Sequence, residues 1–172
     1  MKKVILATLV CSAMSASVFA ADMGHGKVTF KGAIITAPCS ISPVSIDQTV
    51  ELGQIADSTL AGSGKSTPST FNVLLQNCKT DTLKSVQLTF SGAAAAFDTS
   101  NKTLGIVGTA SGAGVQITNG AGEVITLGKA SPLQLIQDGN NTLSFSAYLI
   151  GDGDKAAVGE FSSVTDFTLN YE

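Results

Sequence analysis

Short segments of alternating apolar and polar residues recur along this chain, with turn-forming clusters between them. In residues 71–76, 86–90 and 143–149, every second side chain is apolar. A period of two is that of a β-strand, whose side chains point alternately to opposite faces. Seven or more short strands with turns between them indicate an antiparallel sandwich. The sequence therefore predicts an all-β fold.

Weaker signals complete the predicted set of elements. Residues 115–117 and 125–127 also alternate and are predicted to be strands. Glycine and asparagine cluster in residues 138–141, which predicts a turn. Helix is expected only as short pieces, around residues 57–62 and in the alanine run 93–96.

The C-terminal residues 161–172 are predicted to form one strand with a single apolar face. Phe161, Phe167, Leu169 and Tyr171 share that face because their positions differ by even numbers. A strand of this kind normally lies inside a sheet, and no later residues of the sequence could cover it. We therefore expect the covering strand to come from elsewhere.

A second alternating segment, residues 24–32, precedes the first cysteine of the mature chain. One face of this segment carries Gly24, Gly26, Val28, Phe30 and Gly32. Val28 and Phe30 can fill apolar pockets, while Gly26 permits close backbone approach. We predict that the two terminal strands belong together, in different copies of the protein. The alternative is an ordinary first strand of a self-contained sandwich.

Residues 1–20 are predicted to be a secretory signal peptide. Two lysines precede an apolar run that is too short to cross a bilayer, and small residues stand at the cleavage site. The formal net charge of the full chain is −3, and removal of Lys2 and Lys3 makes the mature chain more negative. The chain also contains no arginine. This charge argues against a nucleic-acid partner.

Cys39 and Cys78 remain after Cys11 leaves with the signal peptide. In an exported chain an even pair indicates a disulfide, and closing a loop of about 40 residues would stabilise the fold by roughly 4 kcal/mol. The alternative is a metal or redox site, which would need a close cysteine pair or nearby histidines. The pair is therefore predicted to be structural.

Motifs for ligand chemistry are incomplete. Residues 62–67 imitate the end of a phosphate-binding loop, but Thr59 stands where that motif needs its first glycine, and Pro68 follows at once. Residues 151–154 resemble the start of a calcium loop without its third and last ligands. His25 is the only histidine of the sequence. We predict no catalytic residue, no metal, no cofactor and no small-molecule substrate.

Six parts of the chain together match one family. They are residues 26–32, 37–41, 52–54 and 75–78, with Gly159 fourteenth from the end and Tyr171 second from it. With these motifs nearly the whole mature chain resembles the major subunits of chaperone–usher pili, nearest to the P-pilus and mannose-resistant fimbrial rod subunits. The resemblance implies an incomplete immunoglobulin-like sandwich that lacks its last strand, so that a groove along the core stays open.

The resemblance also implies how this groove is filled. A periplasmic chaperone lends a strand first, and the N-terminal extension of the next subunit later replaces it. This gives the donor role to residues 21–32, with Gly26 as register marker, and the sandwich to residues 33–172. The predicted groove strand contains Gly159, Phe161, Phe167, Leu169, Tyr171 and Glu172. Contact should weaken towards Gly159, and basic chaperone residues should hold the Glu172 carboxylate.

The implied function is that of a structural, non-enzymatic subunit. It would pass through the periplasm and polymerise head to tail into an extracellular fimbrial rod that supports cell adhesion. Its partners would be other copies of itself, a periplasmic chaperone and an outer-membrane usher. One alternative is a minor adaptor pilin of the same system. Another is a secreted ligand-binding β-sandwich, stable as a monomer with a dispensable N-terminal tail.

Overall fold

The computed structural model describes residues 25–172. Thr36–Glu172 forms one compact unit, and residues 25–37 contain no helix or strand. No helix in the described part of the chain is long and apolar enough to cross a membrane. The predicted signal peptide, residues 1–20, lies outside the described residues.

The elements are β1 (Ser40–Ile41), α1 (Pro43–Ile46), α2 (Asp57–Leu60), a 3₁₀ turn (Ala61–Ser63), β2 (Ser69–Cys78), β3 (Ser85–Ser91), β4 (Thr103–Gly105), β5 (Val107–Gly108), β6 (Ala113–Asn119), β7 (Gln134–Leu135), β8 (Gly139–Gly151), β9 (Phe161–Ser162) and β10 (Asp166–Tyr171).

The strands form two packed antiparallel sheets and one small ladder. A five-stranded sheet has the order β1-β2-β8-β6-β4, and a three-stranded sheet has the order β10-β3-β7. The ladder consists of β5 and β9. Every strand pair is antiparallel. The predicted all-β sandwich is confirmed.

The core lies between the two sheets and follows the apolar alternation. Leu75 on β2, Leu88 on β3 and Phe145 on β8 are fully buried. The rings of Phe90 and Phe145 meet edge to face with centroids 5.1 Å apart, across the gap between the sheets. Each fully buried side chain of this size contributes about 1.5–3 kcal/mol. The period of two therefore selects the residues that hold the sheets together.

Cys39 and Cys78 form a disulfide, as predicted. The bond joins the residue before β1 to the last residue of β2, and the two Cα atoms lie 4.1 Å apart. Both side chains are buried. Beside the bridge, the backbone N–H of Lys79 donates to the carbonyl of Pro38 at 2.9 Å. The bridge thus fixes the start of the compact unit to its larger sheet.

The C-terminal segment was expected to be one strand, and it is two. β9 pairs with β5 and β10 pairs with β3, while residues 163–165 between them are not in a strand. Side-chain hydroxyls explain the interruption. Ser163 Oγ donates to the carbonyl of Gly105 at 2.8 Å, and Thr165 Oγ1 donates to the carbonyl of Ser91 at 3.0 Å. These two bonds hold the chain where it passes from one ladder to the next.

The predicted strand at residues 125–127 is also absent. The N–H of Ile125 donates to the carbonyl of Ile117 at 2.9 Å, and the Ile125 side chain is buried. Residues 125–127 therefore contribute to the core beside β6 without forming a strand.

Of the two expected helical pieces, only one is helical. Residues 57–62 fall in α2 and the 3₁₀ turn, which confirms that prediction. The alanine run does not form a helix, because the N–H of Ala95 donates to the carbonyl of Thr103 at 2.8 Å and so lies along β4. The unpredicted helix α1 starts at Pro43, a residue whose fixed φ suits the first helical position.

Candidate functional site

An apolar groove of about 1320 Å³ opens along one side of the sandwich. Residues 45–57 supply most of one wall and residues 156–167 supply the other. The floor is formed by core side chains of both sheets, including Phe71, Phe90 and Leu149. The groove is therefore an opening into the hydrophobic core.

The first wall is an irregular segment held at its N-terminal end by α1. The N–H of Leu74 donates to Ser45 Oγ at 3.0 Å, which fixes α1 to β2. Residues 47–56 contain no helix or strand. Leu52 and Ile55 are partly buried against the core. The sequence patterns do not predict this wall, because its apolar residues follow no period of two or 3.6. Leu52 belongs to a family motif but to no alternating segment.

The second wall ends in an edge strand. β10 pairs with β3 and stands at the end of the three-stranded sheet. Phe167 of β10 lines the groove. The centroid of its ring lies 6.2 Å from the centroid of the Phe90 ring. An edge strand presents backbone N–H and C=O groups that can pair with a further strand. The wall thus combines an available ladder edge with an apolar surface.

Gly159 allows the backbone of the second wall to contact the backbone of Thr109 and Ala110 directly. The N–H of Glu160 donates to Thr109 Oγ1 at 2.9 Å, and its carbonyl accepts from the N–H groups of Thr109 and Ala110 at 2.9 and 3.0 Å. A Cβ on Gly159 would overlap the backbone nitrogen of Ala110, and the φ of Gly159 is +157°. Only glycine permits this approach.

The structure divides the predicted groove residues into two groups. Gly159, Phe161 and Phe167 line the groove. Leu169 and Tyr171 are not among the lining residues and are instead partly buried against the core. The open space therefore lies towards Gly159, where contact had been expected to weaken.

The last two residues are held by β3 and the loop before it. Glu172 accepts hydrogen bonds from the N–H groups of Lys84 and Ser85 at 2.8 and 2.9 Å, and its own N–H donates to Ser85 at 3.0 Å. The Tyr171 hydroxyl is buried and has no hydrogen-bond partner among the described residues. Burial raises the pKa of Tyr171 above its ordinary value.

The predicted donor residues lie in the N-terminal segment, except that Gly24 falls outside the described residues. Gly26, Val28, Phe30 and Gly32 adopt no helix or strand. Val28 is 75% exposed and Phe30 is 91% exposed. Both apolar side chains are therefore open to contact with another surface.

The loop that imitates a phosphate-binding motif, residues 62–67, contacts the loop that resembles the start of a calcium site, residues 151–154. The N–H of Gly62 donates to Asp154 Oδ1 at 2.9 Å, and the N–H of Gly153 donates to Ser63 Oγ at 3.3 Å. Among residues 25–172, no three His, Cys, Asp or Glu side chains lie close enough to hold a metal ion. The acidic loop residue Asp154 thus caps a neighbouring turn.

Comparison with known sequences matches the chain over almost its full length. A family model described as Fimbrial protein matches residues 28–172. The Fimbria A protein of Serratia marcescens is 52% identical over 100% of this chain and 99% of its own length. The major MR/P fimbria protein of Proteus mirabilis (strain HI4320) is 46% identical over 94% of this chain and 92% of its own.

Two solved structures are similar in fold. The crystal structure of the P pilus rod subunit PapA matches with a TM-score of 0.70 and 28% identity, covering 79% of this chain and 100% of that chain. A chaperone–usher pilus structure concerned with rod uncoiling matches with a TM-score of 0.75 and 31% identity, covering 87% of this chain and 97% of that chain. Both similarities extend over most of the compact unit.

Proposed function

The chain belongs to the fimbrial protein family, and from this premise we propose that it is a major structural subunit that polymerises by donor-strand exchange. Relatives that span its length are fimbrial subunits, and its fold is that of a pilus rod subunit. The family is one of structural pilins, which supports a non-enzymatic role. As in its relatives, the place of action is a fimbrium on the cell surface.

The groove beside the edge strand β10 is the observation that carries the proposal. A strand laid in it would hydrogen-bond to β10 and cover Phe71, Phe161 and Phe167, which line it. The donor in this proposal is the alternating segment 24–32 of another copy. Each apolar side chain that becomes fully buried contributes about 1.5–3 kcal/mol, and the backbone ladder sets the register.

One groove and one donor segment in each copy give a head-to-tail interface. Such an interface joins two different surfaces, and when its rotation does not close it produces an open filament. In this proposal a periplasmic chaperone occupies the groove before assembly, and an outer-membrane usher exports the subunit. The predicted signal peptide, residues 1–20, would direct the chain into that route.

The sequence left two alternatives to a major structural subunit. A minor adaptor pilin would use the same groove and the same donor segment, and the similarity to major fimbrial subunits favours the major role. A secreted ligand-binding sandwich is not favoured, because the homologues are fimbrial subunits.

Deleting residues 21–31 from the mature chain tests the proposal. The truncated and full-length chains are each co-expressed with their chaperone and compared by size exclusion and electron microscopy. We expect filaments only from the full-length chain, and a one-to-one chaperone complex from the truncated one. A truncated chain that is a stable free monomer would contradict donor-strand exchange.

Single substitutions test whether filament formation depends on the face of the donor segment that carries Phe30. Phe30→Asn removes a groove-filling side chain, so we expect it to abolish filaments while chaperone binding persists. Thr29→Asn is the matched control, because Thr29 lies on the opposite face of the same segment. Normal filaments from Phe30→Asn would contradict the assigned register.

A further inference from the structure

The rims of the groove carry carboxylates on both sides. Asp47, Glu51 and Asp57 belong to the first wall, and Glu160 and Asp166 belong to the second. All five residues are exposed, so their charges face solvent at the mouth of the groove. Within the described part of the chain, the residues that line the groove include no lysine and no histidine. The opening is therefore apolar inside and negative at its edges.

The proposed donor segment has the opposite charge. Lys27 and Lys31 flank Val28 and Phe30, and residues 24–32 contain no acidic residue. Both lysines are exposed. In a strand that points Val28 and Phe30 into the groove, Lys27 and Lys31 point outward, roughly 13 Å apart along the strand. Their long side chains can then lean towards either rim.

We propose that the carboxylate rims of the groove steer and select the lysine-bearing donor strand of a second copy. This inference rests on the proposed function, because it takes residues 24–32 as the segment that enters. Opposite charges raise the rate of productive encounter, and like charges disfavour wrong partners. Exposed ion pairs add little to final affinity. The charges therefore act on the rate of entry and on the choice of strand.

The charge of the whole chain makes local attraction useful. The protein is acidic, with a formal net charge of −3 and no arginine, so two copies repel each other overall. Lys27 and Lys31 form a locally basic patch next to the apolar donor residues. Attraction between this patch and the rims acts within a Debye length, about 8 Å at physiological salt. It favours the N-terminal segment over acidic segments of the same protein.

Labelled peptides of residues 21–32 test this selection. The acceptor is the chaperone-bound full-length chain with Phe30→Asn, which keeps its groove and does not donate. Three peptides are compared: the natural sequence, Lys27→Gln with Lys31→Gln, and Lys27→Glu with Lys31→Glu. The rate of peptide entry is measured by fluorescence anisotropy at about 0.01 M and about 1 M salt.

At low salt we expect the glutamine peptide to enter about tenfold more slowly than the natural peptide, and the glutamate peptide more slowly still. At high salt the three rates should converge. Equal rates at low salt would overturn the proposed selection and leave donor-strand exchange intact. Failure of the natural peptide to enter at any salt would instead contradict the proposed function.

Substitutions in the acceptor provide the reciprocal test. Asp166→Lys should slow the natural peptide and speed the glutamate peptide at low salt. Asp81→Lys is the matched control, because Asp81 is exposed and does not line the groove. An equal effect from both substitutions would overturn the assignment to the rims. Glu160→Gln provides the same comparison if Asp166→Lys does not accumulate as a chaperone complex.

Discussion

The sandwich has a sealed half and an open half that share the same strands. In the sealed half, Leu75 and Phe145 are fully buried by the facing sheet. In the open half, Phe71, Phe161 and Phe167 are only partly buried and border the groove. β2 contributes Leu75 to one half and Phe71 to the other, so the strand pattern is continuous across both. The two halves differ in whether a strand covers them, and the proposed function depends on that difference.

Shortening an aromatic side chain in each half gives the largest expected contrast. Phe145→Ala should lower the free energy of unfolding by about 3–5 kcal/mol, because it leaves a cavity between the sheets. Phe161→Ala should cost about 1 kcal/mol or less in the isolated chain, since its side chain is partly exposed. Urea denaturation of the full-length mature chain, followed by circular dichroism, measures both values. Equal losses would show that the halves do not differ.

The backbone contact at the second wall gives an intermediate effect. Gly159→Ala would place a methyl group against Thr109 and Ala110, so the wall must shift and its hydrogen bonds weaken. We expect a loss of about 1–3 kcal/mol in the same denaturation measurement, together with slower filament growth. Gly120→Ala is the control, because its Cβ would meet only an ordinary contact at 3.5 Å. Similar losses from both substitutions would argue against the contact.

The two tyrosines give the smallest expected effect. The Tyr148 hydroxyl donates to Gln116 Oε1 at 2.7 Å, so Tyr148→Phe should cost about 1 kcal/mol. Tyr171→Phe removes a buried hydroxyl that has no partner within residues 25–172, so it should be neutral or slightly stabilising. Thermal unfolding of the two variants beside the natural chain measures the difference. A larger loss from Tyr171→Phe would contradict the geometry.

The effect of Tyr171→Phe on stability depends on pH. Burial raises the pKa of Tyr171 in the folded chain, so the folded state holds this proton more tightly than the unfolded state does. The stability from Tyr171 is complete below the unfolded pKa and is lost as pH rises through the folded pKa. Tyr171→Phe should therefore reduce the alkaline loss of stability, measured by unfolding between about pH 8 and pH 11.

The sequence predicted the sandwich and part of the groove for a physical reason. Alternation reports which face of a strand is apolar, so it identified Phe161 and Phe167 and the core residues of β2, β3 and β8. It does not report contacts between distant residues. The break between β9 and β10 depends on hydroxyl bonds to Gly105 and Ser91.

The irregular wall at residues 45–57 has no period to detect. Its place beside the groove is set by tertiary contacts, such as the bond from Leu74 to Ser45. The same holds for Gly159, whose close neighbours Thr109 and Ala110 are far away in sequence. Family resemblance marked Gly159, but the reason for a glycine there is visible only in the fold.

The disulfide has a mechanical consequence for a filament under tension. A pull on the N-terminal segment reaches Cys39 and passes through a covalent bond into Cys78, the last residue of β2. Without that bond the load would first peel β1, which has only two residues. With it, the load enters β2, a ten-residue strand that pairs with β8 from Ser69 to Cys78. The crosslink thus moves the mechanically loaded point from the weakest edge of the sheet to one of its longest ladders.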